Sequence, residues 1–227
     1  MIGEIFIWLN LAMQESTPRE KVLKKIRAAL ISKTPNPYPN LDFDSPVFRM
    51  NDDVPELIFA RTFRESGGNF VFCSDMLEFA EKLLLLAQDN RWKGLVCAEP
   101  NLFDFLQQCE FPVVSDMNAV AGGSVAVTTC ECLVARTGSI MVSSAQAGGR
   151  SMPLFAPAHV VVAFPNQLVD DLKDAFHFMQ SKYKEQQPSS VTFITGPSRT
   201  ADIGNETVIG AQGPREVYLF LVDKPVW

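Results

Sequence analysis

TGPSRTADI, residues 195–203, lies between two apolar runs at residues 191–194 and 217–222, and a second glycine-proline turn, GAQGPR, follows it at residues 210–215. Short continuous apolar runs bounded by turns are typical of buried β-strands. The two turns therefore emerge from the protein core, and this is where we expect a ligand.

The residues of the first turn suit an anion. Gly196 permits backbone angles that other residues avoid, and Pro197 can open a helical turn. Free amides at such a turn, two hydroxyls and the guanidinium of Arg199 can converge on a carboxylate or phosphate. The alternative is a strand-ending turn in which Asp202 caps the chain or pairs with Arg199, and the spacing alone favours neither interpretation.

Outside these turns, helical and strand patterns alternate. Helices are indicated after Pro55, after a Ser74 cap, at residues 101–108 and in a last long helix that ends near residues 187–188; strands are indicated at residues 69–73, 94–98, 112–114 and 159–164. Residues 122–144 break the rhythm, with three strand-like runs (124–128, 133–136 and 139–144) joined by tight turns. The pattern predicts a three-layer α/β/α fold with a mostly parallel sheet and an antiparallel insert.

Composition limits the classes of function. The 227 residues, 47% of them hydrophobic and 20% charged, can form a sizeable core in one large domain or two small ones. The net charge of -6 argues against a surface that binds nucleic acid or an anionic membrane. A local basic pocket remains compatible with this charge.

The cysteines and the N-terminus predict a cytoplasmic protein. Five cysteines, an odd number, fit reduced thiols. Cys130 and Cys132 are too closely spaced, and too poorly supported by other ligands, for a metal centre, so we expect no metal and interpret Cys130 as a turn thiol open to oxidation and Cys132 as core. Residues 1–13 lack a basic leader and are too short to span a bilayer. They indicate an upstream start codon or a short segment that packs on a partner.

The first 50 residues are predicted to be an N-terminal arm, and residues 51–227 the main domain. Thr17 and Glu20 form a capping box around Pro18, which predicts an amphipathic helix to about residue 31. Four prolines between residues 35 and 46 then indicate an extended linker.

Four polar turns are predicted to meet in one ligand pocket, at residues 136–139, 148–150, 196–202 and 213–215. Loops beyond the carboxyl ends of strands meet in a crevice in open α/β sheets. The predicted ligand-binding residues are Arg136, Thr137, Gly138, Ser139, Gly196, Ser198, Arg199, Thr200, Gly213 and Arg215. In the alternative interpretation, each arginine pairs with an acid close in sequence, such as Glu131, Asp202 or Glu216.

Two residues are predicted to handle protons, His159 and Asp202. His159 begins a strand close to the glycine-rich loop, and a neutral imidazole can act as acid or base. A histidine that is bonded to the backbone and has only a structural role is the alternative.

Three motifs resemble the lactate utilization protein C family (LutC/YkgG), whose domain is called the LUD domain. Its members carry the stretch GPSRTADIE, a later G-x-HGP turn and an earlier AETGT turn. Here these are GPSRTADI at residues 196–203, GAQGP at residues 210–214 and ARTGS at residues 135–139, in the same order. The resemblance covers about residues 54–222.

The resemblance implies a sugar-phosphate isomerase/CoA-transferase-like fold (NagB/RpiA/CoA transferase-like). It also implies a role beside iron–sulfur partner proteins in oxidising L-lactate to pyruvate, with the clusters in the partners and no cofactor in this chain. A homodimer that binds a small carboxylate or phosphate is expected. A stand-alone enzyme on sugar phosphates or acyl derivatives and a non-catalytic assembly or regulatory subunit are the alternatives.

Three departures from the family's motifs bear on catalysis. Arg136 stands where the family has the glutamate of AETGT, so covalent chemistry of the glutamate-nucleophile CoA transferases is excluded here. Gln212 replaces the histidine of HGP, and Gly204 replaces the acid of ADIE. A variant tuned to another anion, or one without catalysis, fits these changes.

Overall fold

The computed structural model describes residues 17–31, 35, 37–42, 53–116, 118–121, 123–148, 151–200 and 207–225. The chain divides into two compact units, Met1–Arg49 and Met50–Trp227. The predicted division into an arm and a LUD domain over residues 51–227 stays a prediction.

The first unit contains helix α1, Pro18–Ile31, none of whose residues is buried. The amide of Thr17 donates to the Glu20 carboxylate over 2.9 Å, and the amide of Glu20 donates to the Thr17 hydroxyl over 3.3 Å. These reciprocal bonds satisfy two amides that a helix start leaves free. The capping box predicted from the sequence is therefore confirmed.

The described part of the second unit contains twelve strands and six helices. The strands are β1 Asn69–Asp75, β2 Leu95–Val96, β3 Val113–Val114, β4 Val125–Thr128, β5 Cys132–Val134, β6 Ser139–Ser143, β7 Ala158–Ala163, β8 Leu168–Val169, β9 Val191–Ile194, β10 Arg199–Thr200, β11 Val208–Ile209 and β12 Glu216–Lys224. The helices are α2 Pro55–Glu65, α3 Met76–Asp89, α4 Pro100–Gln108, α5 Asn118–Ala121, α6 Ser151–Phe155 and α7 Leu172–Tyr183, with a 3₁₀ turn at Pro165–Gln167.

A parallel six-stranded sheet forms the centre of this unit, in the order β1-β12-β7-β4-β2-β3. Its strands are almost entirely apolar because both faces are covered. Helices α3 and α4 bury one face through Met76, Phe79, Leu83, Leu102 and Leu106. Helix α2 and a second sheet cover the other face.

The second sheet has four strands in the order β8-β5-β6-β9. Strand β6 pairs antiparallel with β5 and β9, and β8 pairs parallel with β5. Its outer face packs on α7 through Cys132, Val134, Met141, Ala175 and Met179. The predicted three-layer α/β fold with an antiparallel insert is confirmed, and the insert is a complete second sheet.

The apolar runs that flank residues 195–215 are strands as predicted, β9 in the second sheet and β12 in the central one. Three local predictions are wrong. Strand β4 belongs to the central parallel sheet and not to the insert. Helix α3 is capped by Asp75, whose carboxylate accepts from two amides of the first turn, and not by Ser74. Helix α7 ends at Tyr183, before the predicted end.

Candidate functional site

A cavity of about 810 Å³ lies at the amino-terminal edge of the central sheet. Gly123 precedes β4, Pro157 precedes β7 and Arg215 precedes β12, and all three line the cavity. The other lining residues are Val120, Leu154, Phe155, Ala156, Gly210, Ala211, Gln212 and Gly213. The ligand pocket was predicted beyond the carboxyl ends of strands, whereas this cavity lies at the opposite edge of the sheet.

The loop at residues 210–215 forms one wall and is held by hydrogen bonds to Ser198 and Pro157. The amide of Ser198 donates to the Pro214 carbonyl over 2.9 Å, and the Ser198 hydroxyl donates to the Gln212 carbonyl over 2.7 Å. The amide of Arg215 donates to the Pro157 carbonyl over 2.9 Å. Ser198 thus holds the loop with both of its donors, and its predicted contact with a ligand stays a prediction.

A short β-ribbon, not a helical turn, follows Pro197. Arg199 pairs with Ile209, and Thr200 pairs with Val208, as strands β10 and β11. The helical turn predicted at Pro197 is wrong, because the chain reverses and pairs with the segment that leads into the second glycine turn. The amides of residues 198–200 were expected to point at an anion. The Ser198 amide instead donates to the Pro214 carbonyl, and Arg199 and Thr200 lie in the ribbon.

Glycine is required at two positions of the cavity loop. Gly210 has a φ of +75°, and a side chain there would overlap the Cγ atom of Arg215. Gly213 has a φ of +131°, and a Cβ atom would lie 2.9 Å from the Cβ of Ser198. Both backbone conformations are strained for other residues. These two glycines therefore allow Arg215 to cross the loop and Ser198 to pack against it.

The cavity wall offers donors to an anion. In the described part of the chain, the guanidinium of Arg215 has no ion pair or hydrogen bond, and the amides of Ala211, Gln212 and Gly213 donate no hydrogen bond. Successive free amides in a turn make a concave anion site, and a guanidinium adds charge-assisted bonds. This wall can hold a carboxylate or a phosphate.

Other predicted ligand residues gather around the carboxyl end of helix α2. The hydroxyls of Ser139 and Thr195 are 2.7 Å apart, and the Arg199 guanidinium donates to the Ser66 carbonyl over 2.9 Å. A side chain at Gly196 would overlap the Ser66 carbonyl, and one at Gly138 would overlap the backbone of α2. The two turns therefore pack closely against the helix end.

Thr137 and Thr200 also lie in these turns. The Thr137 hydroxyl is buried and has no hydrogen-bond partner among the residues that the structure describes. Thr200 lies in strand β10. Neither lines the cavity of Arg215.

Arg136 turns away to helix α7. Its guanidinium lies 2.6 Å from the carboxylate of Asp171, the residue that caps α7, and this hydrogen bond lowers the pKa of Asp171. Of the three arginines expected in one pocket, only Arg215 lines the cavity, since Arg136 is bonded to Asp171 and Arg199 to a carbonyl. Among the described residues, the four turns therefore do not meet in one common pocket. Arg136 pairs with an acid, as in the alternative interpretation, but this acid is Asp171.

His159 lies in strand β7 and is fully buried. Its Nε2 atom is 2.8 Å from the Thr128 hydroxyl, and its Nδ1 atom has no partner in the described residues. Burial lowers the pKa of His159 to about 3, so that the ring is neutral at physiological pH. This environment favours a structural role over the predicted role in proton transfer. The other predicted proton carrier, Asp202, lies outside the described residues, as do residues 149–150 of the glycine-rich loop.

One titratable residue escaped the sequence analysis. Glu99 follows β2, and its carboxylate accepts from the Thr129 amide over 3.1 Å and from the Thr129 hydroxyl over 3.3 Å. Burial raises the pKa of Glu99 to about 7, although the bonds from Thr129 act in the opposite direction. The sequence feature that could have identified Glu99 is its position directly after the apolar run at residues 94–98. Its partner, at the end of β4, could be recognised only from the strand order.

The cysteines have no reactive environment. Cys130 and Cys132 are buried, and burial raises the pKa of Cys130 well above its usual range. Cys132 lies in the core as predicted, whereas the interpretation of Cys130 as an exposed, oxidisable thiol is wrong. Within the described ranges, no three His, Cys, Asp or Glu side chains group closely enough to hold a metal ion. No helix in that part of the chain is long and apolar enough to cross a membrane.

The order of the turns along the chain agrees with a family of known proteins. The family model of the LUD domain matches residues 117–222, which begin before β4 and end within β12. Over residues 117–222 the chain is similar to LUD domains. The resemblance to the lactate utilization protein C family is thereby confirmed.

Several relatives of this chain carry the name lactate utilization protein C. One from Anoxybacillus flavithermus is 26% identical over 148 residues, which are 62% of this chain and 64% of the relative. One from Bacillus pumilus is 28% identical over 162 residues, which are 66% of each chain. The chain thus spans less than two thirds of the first of these relatives, and 43% of a third from Bacillus licheniformis.

A solved structure shows the same fold. The crystal structure of a DUF162 family protein from Deinococcus radiodurans superimposes with a TM-score of 0.56 at 15% identity, covering 74% of this chain and 96% of that one. At this identity, the likeness concerns the fold alone.

Proposed function

We propose that this LUD-domain protein is a component of an iron–sulfur-dependent system that oxidises L-lactate to pyruvate. The names of its relatives and the LUD domain at residues 117–222 support this proposal. Oxidation of lactate releases two electrons and two protons, and the electrons pass to clusters in partner proteins. This chain contributes anion binding to that system, in the cytoplasm and as a homodimer.

One observation carries the anion-binding part of the proposal. Arg215 lies in the wall of the cavity beside three free amides, and its charge is not neutralised by any acid in the described residues. Arg215 is exposed at the cavity, so its guanidinium is accessible to a ligand. A small carboxylate or phosphate bound there gains charge-assisted hydrogen bonds from Arg215.

The environment of His159 favours binding over catalysis. The ring is buried and neutral, and Arg136 stands where the family has a glutamate and is bonded to Asp171. Neither residue supplies a nucleophile or a cationic acid. A non-catalytic subunit therefore agrees better with the described residues than a stand-alone enzyme does.

Calorimetry tests the anion site. We expect L-lactate, pyruvate or inorganic phosphate to bind the full chain, and Arg215→Gln to weaken that binding about tenfold or more, the value of a charge-assisted hydrogen bond. Arg61→Gln is the matched control, because Arg61 is exposed and pairs with Asp53 at the surface. Equal affinities in the two variants, or no binding by the native chain, contradict the anion site.

The partner proteins need a separate experiment. A tagged chain expressed in its own host is expected to co-purify with proteins whose visible absorption is bleached by dithionite, as iron–sulfur clusters are. If the tagged chain is recovered without cluster-bearing proteins, both before and after mild cross-linking, the assignment to a lactate-oxidising system is wrong.

A further inference from the structure

The cavity of Arg215 is much larger than a three-carbon acid requires. Its volume is about 810 Å³, and a water molecule takes about 30 Å³ of liquid. A lactate ion bound at Arg215 would displace only a few of the many waters that such a space holds. Cavities of about 300–1,000 Å³ are typical of sites for ligands the size of a drug or cofactor.

Apolar side chains also line the cavity. Phe155 and Leu154 of helix α6 are among them, together with Pro157 and Val120. Phe155 is 72% exposed and Leu154 42% exposed. A large aromatic ring left in water at the mouth of a cavity is typical of a stacking surface for a flat ligand group.

From these two features we propose that the natural ligand of the Arg215 cavity is an anion that carries a flat aromatic ring, such as a nucleotide. The anionic group binds Arg215 and the free amides of residues 211–213, and the ring stacks on Phe155. This proposal rests on the anion site proposed above and names its class of ligand. Under this proposal, the partner proteins oxidise lactate. The anion bound by this chain is a molecule of the size of a cofactor.

A series of ligands that share one phosphate tests the aromatic contact. AMP and ribose 5-phosphate are compared by calorimetry on the full chain, since they differ only by the base. We expect AMP to bind at least about fivefold more tightly, which is the low end of the range for a base stacked on an aromatic side chain. Equal affinities for the two overturn the proposal.

Substitutions at Phe155 locate the contact. Phe155→Ala is expected to remove the preference for AMP, and Phe155→Tyr, which retains a ring, is expected to keep it. Arg215→Gln should weaken both phosphates by the same factor, because it acts on the shared phosphate group. A preference for AMP that survives Phe155→Ala, or a Phe155→Ala variant that changes only the state of association, shows that Phe155 is not a ligand contact and overturns the proposal.

Adenosine separates this proposal from the anion site. It lacks the phosphate, so adenosine binding that Phe155→Ala abolishes supports the ring contact even when no phosphate binds. If inorganic phosphate binds while AMP binds no more tightly than ribose 5-phosphate, the anion site stands and the aromatic ligand is wrong.

Discussion

At the scale of single residues, Glu99 links stability to pH. Burial raises the pKa of Glu99 from 4.5 to about 7, so that the folded protein holds a proton that the unfolded chain releases. Between these two pH values the Glu99 carboxyl binds fewer protons in the unfolded state, and its contribution to the free energy of unfolding therefore falls as the pH rises. The neighbouring thiols of Cys97 and Cys130 have pKa values raised by burial and stay neutral in this range.

We expect Glu99→Gln to remove the contribution of Glu99 to the pH dependence. The amide keeps an oxygen that can accept from Thr129 and has no charge to bury. Buried His159, whose pKa is lowered to about 3, acts in the opposite direction and is the same in both chains. Relative to the variant, the native chain is therefore expected to lose at most about 3 kcal/mol between pH 4.5 and pH 7. Urea unfolding at several pH values between 4.5 and 8 measures this difference. Glu81→Gln, at an exposed position on α3, is the control, and a difference between native chain and Glu99→Gln that does not change with pH contradicts the assignment.

Residue types were predicted better than residue partners. The sequence identified Arg199, Arg136 and Arg215 as cations in polar turns, and each does lie in or beside a turn. The three arginines were predicted to lie in one pocket because all of these turns are polar and follow apolar runs. Their partners are Ser66, Asp171 and an open cavity, and each of these depends on contacts between segments far apart in the chain. No local pattern contains that information.

At the scale of elements, one buried carboxylate fastens helix α7 to the second sheet. Glu131, just before β5, is fully buried. It accepts from Lys182 over 2.7 Å, from the Tyr183 hydroxyl over 2.8 Å and from the Ser143 hydroxyl over 2.5 Å. Lys182 and Tyr183 form the last turn of α7, so this cluster fixes the end of the helix as well as its distance from the sheet.

We expect Lys182→Met to destabilise the protein by about 2 kcal/mol, because it leaves a buried charge without its counter-ion. The value is below that for a fully buried pair, since the Lys182 side chain is 47% exposed. Adding Glu131→Gln removes the unpaired charge and should restore part of the loss. Chemical denaturation of the two single variants and the double variant gives the coupling energy. Additive losses show that the pair is not coupled, and no loss in Lys182→Met shows that solvent replaces the lysine.

Elements with strong local signals were predicted from the sequence. Helix α1 has a capping box, helix α2 begins at a proline, and β7 and β12 are continuous apolar runs. The ribbon of β10 and β11 was missed because each strand has two residues and is held by pairing alone. The backbone angle that proline fixes is compatible with the start of a helical turn and with the approach to a β-ribbon. Pro197 therefore does not distinguish the two structures.

At the scale of the whole molecule, alternation of helices and strands was sufficient to predict the layers but not the strand order. Strands β4 and β5 are separated by three residues yet belong to different sheets. Both are short, apolar and buried, so no feature of their sequence assigns either to a sheet. The consequence for the site is direct, because the strand order decides which loops meet at the amino-terminal edge and which at the carboxyl edge.

The four core clusters predict that the second unit is an independent folding unit. Every buried residue in these clusters lies within Met50–Trp227. Two clusters share the central sheet, one on each face, so the loss of either exposes strands that the other needs. A chain that starts at Met50 is therefore expected to unfold in a single transition, within about 2 °C of the melting temperature of the full chain. Calorimetric scans of both chains measure this. A second transition in the shorter chain, or a melting temperature many degrees lower, would show that residues before Met50 contribute to the fold of the second unit.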